Sequence, residues 1–125
     1  MRKAIIIKLQ EITELGNRIY ESFIAPENPT LPYATVKMMG EDPAVDNRKG
    51  SIWSFSVFIR VSPDSFVSLD NLVVSVKGKL NNVTLTTSLG EKFTPEYIKT
   101  LEDYHDDIRN LFSKRVDFDI GGART

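Results

Sequence analysis

Residues Ile52 to Val61 constrain the fold more than any other stretch of the chain. Trp53, Phe55, Val57, Ile59 and Val61 alternate there with Ser54, Ser56, Phe58 and Arg60. Successive side chains of a strand point to opposite faces, so this period of two places a strongly apolar row on one side. The segment predicts a strand near the middle of an antiparallel sheet, with that row facing a core. Trp53 and Phe55 have the shape to stack on nucleic-acid bases, but their place within a strict alternation favours the core.

Other elements follow from period and punctuation. Arg2 to Leu15 predicts a helix, because Ile5, Leu9, Ile12 and, one position off, Leu15 recur while Lys8, Glu11 and Glu14 fall outside the stripe. Gly16-Asn17 stops it. Arg18 to Phe23 reads as extended, and prolines at 26, 29 and 32 mark a surface loop. Tyr33 to Met39 predicts a strand, and Glu41 to Gly50 a long polar connection. Ser62-Pro63-Asp64 has the capping hydroxyl, proline and acid of a helix start. Phe66, Leu69, Leu72, Val73, Val76 and Leu80 then form an apolar stripe closed by Asn81-Asn82, and Val83 to Thr87 reads as a short strand. Tyr97 to Phe112 admits two readings. Ile98, Leu101, Tyr104, Ile108 and Leu111 suit a helix; Asp106-Asp107 equally suits the tip of a hairpin whose second strand carries Val116, Phe118 and Ile120. The clean alternation from Lys114 to Ile120 favours strands.

The expected fold is α+β: one domain over residues 1–125, an antiparallel sheet with two amphipathic helices packed on one face. A loop is expected at about 41–50 and a C-terminal tail at 121–125.

Composition removes several classes of function. Sixteen Lys and Arg against seventeen Asp and Glu leave a formal charge of -1, whereas gripping nucleic acid needs a basic excess or stripe. With no cysteine and one histidine, thiolate zinc sites, cysteine nucleophiles and histidine-rich metal sites within one chain are excluded. The apolar run Ala4 to Ile7 ends at Lys8, too short for a secretory core, and no stretch approaches the 18 or so apolar residues of a membrane span. A cytosolic chain is expected.

Catalytic patterns are sparse. The glycines follow neither phosphate-loop pattern, and no Gly-x-Ser-x-Gly elbow accompanies His105. The densest polar cluster, Glu102 to Asp107, offers carboxylates for a divalent cation or for acid–base work, yet lacks the ligand spacing of a calcium loop and reads better as a solvated acidic turn. Arg109, Lys114, Arg115 and Arg124 are interleaved with Asp117 and Asp119 and read as ordinary surface. The polar connection is different. Asp46, Asn47, Arg48 and Lys49 sit in a long loop of a small domain, where a binding role is expected. No catalytic residue, metal ligand or cofactor is expected.

The order of segments carries a resemblance. A helix runs into Asn17-Arg18-Ile19-Tyr20, then a proline-bearing loop, then Leu31-Pro32-Tyr33-Ala34-Thr35-Val36. A polar loop precedes an aromatic strand ending in Phe58-Ile59-Arg60-Val61. A helix ends at Leu80, and the chain closes with Lys114-Arg115-Val116-Asp117-Phe118-Asp119-Ile120. This resembles the tail-completion proteins (tail-terminator or head–tail joining proteins) of long-tailed bacteriophages and prophages. The resemblance spans nearly the whole chain on short hydrophobic motifs, and Tyr97 to Phe112 departs from it by being richer in charge.

The resemblance implies a structural virion subunit without catalysis or cofactor. It implies a hexameric ring at the head-proximal end of the tail tube, assembled in the bacterial cytoplasm. Its partners would be other copies of itself, the tube protein and a head-completion or connector protein, with DNA passing through unheld. A chain of this length has a diameter of about 36 Å, and six touching spheres of that size leave a bore of about 36 Å, enough for a duplex. A ring needs heterologous contacts, and the loop with Asn47, Arg48 and Lys49 is expected to face the lumen or the tube. Two alternatives stand beside this: another tail or neck subunit, such as a tube or connector protein, and a small metal-dependent hydrolase using Asp103, Asp106 and Asp107.

Overall fold

The computed structural model describes residues 2–21, 30–43, 51–62, 66–106 and 111–121. Helix α1 (Arg2–Leu9) leads into β1 (Ile19–Glu21), β2 (Tyr33–Pro43) and β3 (Ser51–Val61), followed by helix α2 (Phe66–Leu80). Five further strands close the chain: β4 (Leu85–Thr86), β5 (Lys92–Phe93), β6 (Glu96–Thr100), β7 (Tyr104–Asp106) and β8 (Leu111–Gly121). The main sheet has the order β1-β2-β3-β8-β6, with β7 following β6 along the outer side of β8; β4 and β5 form a separate hairpin. The α+β class and the two helices on one sheet face match the sequence reading.

The expected central strand is central. Val57 lies between Val36 and Val116, and Phe55 between Met38 and Phe118. The two rings of Phe55 and Phe118 stack with centroids 5.1 Å apart and planes 11° from parallel. These rows face Ile5 and Leu9 of α1 and Leu69, Leu72, Val76 and Leu80 of α2, all buried in the same cluster. Phe55 therefore belongs to the core; the Trp53 side chain lies outside the described residues.

The Tyr97–Phe112 ambiguity resolves to strands, with β7 and β8 pairing Asp106 with Leu111. Four other expectations need correction. First, the sheet is mixed, because β1 runs parallel to β2 (Ile19 opposite Ala34). A parallel pair needs a return connection rather than a tight turn, and residues 22–32 supply its length. Second, the first helix stops at Leu9. Beyond it Glu11 bonds back to Lys8, Ile12 to Leu9 and Leu15 to Ile12, a three-residue pattern that tightens the winding. The spacing Ile5, Leu9, Ile12, Leu15 contains this change, since its last two steps are three residues; both Ile12 and Leu15 are buried.

Third, the polar connection is shorter than 41–50. Glu41, Asp42 and Pro43 extend β2 opposite Trp53, Ile52 and Ser51, after an irregularity between Met38 and Gly40. Pairing with β3 decides this where local polarity suggested a loop. Fourth, Gly121 is the last residue of β8, opposite Ile52, and not part of a tail.

The end of the first helical segment rests on Gly16, whose N–H reaches the Ile12 carbonyl at 2.8 Å with φ at +51°. A Cβ built there would lie 3.8 Å from the Thr13 carbonyl oxygen, an ordinary contact, so an alanine meets conformational rather than steric resistance. Gly16→Ala is expected to lower stability by about 1 to 2 kcal/mol, the difference between left-handed alanine and glycine. Urea denaturation reads it, and an unchanged midpoint would mean that the turn relaxes.

Candidate functional site

With both helices on one side, the opposite face of the sheet is left to side chains of alternate parity. These include Lys37 and Met39 from β2, Ser54, Phe58 and Arg60 from β3, and Arg115 and Asp119 from β8. The register builds a polar ladder across it. Ser54 donates to the Asp119 carboxylate at 2.9 Å and Ser56 to Asp117 at 2.7 Å, while Arg115 Nε also reaches Asp117 at 2.7 Å. Arg60 donates to the Thr35 hydroxyl at 2.9 Å. The Arg60 and Arg115 guanidiniums lie 5.3 and 5.8 Å from the Phe58 ring centre, so the Phe58 ring is held between two cations.

Two shallow grooves on this face are lined by described residues. One, of about 460 Å³, runs past Met39, Ser54, Ile98, Lys99 and Asp119. The other, of about 390 Å³, is bordered by Phe58, Leu101, Tyr104 and Leu111. Arg115 borders both. The chemistry on offer is recognition. The serine hydroxyls donate to carboxylates instead of facing a base, and His105 lies on the separate β7 edge, stacked on Phe112 with centroids 4.7 Å apart.

Among the described residues no group of three His, Asp or Glu side chains is placed to hold a metal ion. Of the alternative carboxylate set, Asp103 is engaged by Lys114 at 3.1 Å; the Asp106 side chain and Asp107 lie outside the described residues. Lys114 holds Asp70 and Asp103, and Arg115 holds Asp117, so these two cations serve as structural surface. Arg109 and Arg124 lie outside the described residues.

Asp46, Asn47, Arg48 and Lys49 also fall outside them. What is fixed is their setting: Pro43 pairs with Ser51, so residues 44–50 join the two arms of the β2–β3 hairpin at the end of the sheet. The ladder on the uncovered face was not singled out from sequence. Its signal was the serines of the β3 alternation and the aspartates of the β8 alternation, which meet only once the register is known.

Neither a protein-family model nor a curated protein sequence matches the chain. Solved structures do match in fold. A chain from the "virion of native gene transfer agent (GTA) particle" superposes with a TM-score of 0.70 at 14% identity, covering 97% of this chain and 92% of that one. A second solved chain superposes with a TM-score of 0.68 at 11% identity, covering 96% of this chain and 88% of the other. At these identities the likeness is one of fold, and it runs nearly end to end in all three chains.

Proposed function

We propose that this chain is a structural virion protein of the tail-terminator kind. Six copies ring the head-proximal end of a phage-type tail tube, stop its polymerisation and offer the surface on which the filled head docks. The observation that carries this reading is the shared fold over nearly the full length of both this chain and a gene transfer agent virion chain. The order of motifs from Asn17 to Ile120 supports it. A formal charge of -1 suits a ring through which DNA moves without being held. The partners under this reading are further copies of the chain, the tube protein and a head-completion protein. Asp46, Asn47, Arg48 and Lys49 face the lumen or the tube from the hairpin end.

Particles made in an inducible host with the gene deleted test the role by electron microscopy. DNA-filled heads beside unattached, overlong tails are expected; complete virions would sink it. Complementation with residues 44–50 replaced by Asn-Gly, the pair that closes a two-residue hairpin, is expected to give a folded protein that fails to cap. Restored virions would relieve the loop of its role. A tube subunit is distinguished by forming long filaments on its own.

A further inference from the structure

The helical layer carries two features that the uncovered sheet face does not explain. The first is Leu89, 86% exposed at the apex of the β4–β5 hairpin. Single exposed leucines are ordinary on protein surfaces, but this one is held out by a closed turn. Thr87 N–H reaches the Glu91 carbonyl at 2.7 Å, Gly90 N–H the Thr87 carbonyl at 3.0 Å, and Glu91 N–H the Thr87 hydroxyl at 3.1 Å. Gly90 takes the left-handed conformation at φ +87°. The leucine therefore has no easy way to fold back.

The second feature is the outer side of α2. Val67, Asn71, Val74 and Gly78 recur at steps of four, three and four, making an uncharged stripe in which Val67 and Val74 are 75% and 69% exposed. Nothing lies within 4 Å of where a Gly78 Cβ would stand. Alongside the stripe runs a groove of about 330 Å³ lined by Glu14, Pro32, Ser68, Asn71, Leu72 and Ser75. Charge distinguishes the two features further. Lys92, three residues from Leu89, is exposed, as is Glu14 on the groove rim, and neither side chain has a partner among the described residues.

We propose that copies of this chain join head to tail through the helical layer: Leu89 of one copy seats in the α2 groove of the next, with Lys92 against Glu14. Knob and groove are different patches of one surface, which is the condition for a heterologous contact that closes into a ring or runs on as a filament. The inference rests on the self-assembling virion reading and names the contact that reading requires.

The chain contains no cysteine, so engineered thiols report without background. Full-length Leu89→Cys and Asn71→Cys proteins, mixed and oxidised at high concentration, are expected to give a cross-linked dimer. The Leu89→Cys/Asn71→Cys double variant is expected to give a ladder of larger species. In sedimentation velocity, Lys92→Glu and Glu14→Lys are each expected to weaken self-association about tenfold, and the double exchange to restore it. All four positions are exposed, so circular dichroism should match the parent. Leu89→Cys cross-linking to itself, no cross-link in the mixture, or no restoration by the double exchange would each overturn the contact. The capping reading fails separately: cross-linked filaments of unlimited length would keep this contact and discard the ring.

Discussion

Phe55→Ala is expected to cost about 3 to 5 kcal/mol, the loss that follows from emptying a fully buried aromatic site. Three things converge on that ring. It is fully buried on the central strand, it stacks on Phe118 at 5.1 Å, and its row continues through Tyr97, whose ring meets Phe118 edge-on at 6.1 Å. Alanine removes the transfer free energy of the ring and leaves a cavity that two flanking strands, both paired to β3, cannot collapse to fill. A domain of this size has about 5 to 15 kcal/mol in total, so the variant would stand near the edge of folding at 37 °C. Urea denaturation at 15 °C gives the value directly. Phe118→Ala should behave alike, and the double variant should lose about 0.5 to 1.5 kcal/mol less than the sum, the share of the ring pair itself. A loss under 1 kcal/mol for Phe55→Ala would mean that the two rings do not share a core.

The elements read well from sequence are those whose period is set by an apolar row buried on one side. The β3 alternation is one, because Phe55, Val57, Ile59 and Val61 all face the helices. The α2 stripe is another, with Leu69, Leu72, Val73, Val76 and Leu80 buried as the spacing requires and Asn82 at φ 59° ending it. What escaped was decided by partners distant in the chain. The parallel pairing of β1 depends on where Ile19 meets Ala34, which no local pattern records. The strand character of Glu41 to Pro43 comes from the opposing Ser51 to Trp53. The ladder of Ser54 with Asp119 and Ser56 with Asp117 joins residues 65 and 61 apart, so each half looked like a plain polar face. Phe58 on that polar side was the visible irregularity, and Arg60 and Arg115 account for it.

Lys114 shows how the face a strand position falls on points to a contact. The β8 alternation of Val116, Phe118 and Ile120, extended back by two, puts residue 114 on the helix side of the sheet, opposite Ile59. A lysine there must carry its ammonium out to a partner. It reaches Asp70 of α2 at 2.8 Å and Asp103 at 3.1 Å, clamping the helix and the β6–β7 connection to β8. The hydrogen bond to Asp70, joined by that to Asp103, raises the Lys114 pKa above the ordinary lysine value of 10.5, outweighing partial burial, which lowers it. A raised folded-state value means that the protonated form is favoured by folding. The stabilisation is therefore complete below pH 10.5 and is lost as pH rises through the higher folded value. Lys114→Met keeps most of the stem and removes the charge. With Asp70 largely solvated, the expected loss at pH 7 is about 1 to 2 kcal/mol. Comparing wild type and Lys114→Met by urea denaturation from pH 7 to 11, the gap should hold steady to about pH 10 and narrow above it. A gap that persists undiminished at pH 11 would assign the loss to packing of the stem, and a gap absent at pH 7 would mean that solvent screens the clamp.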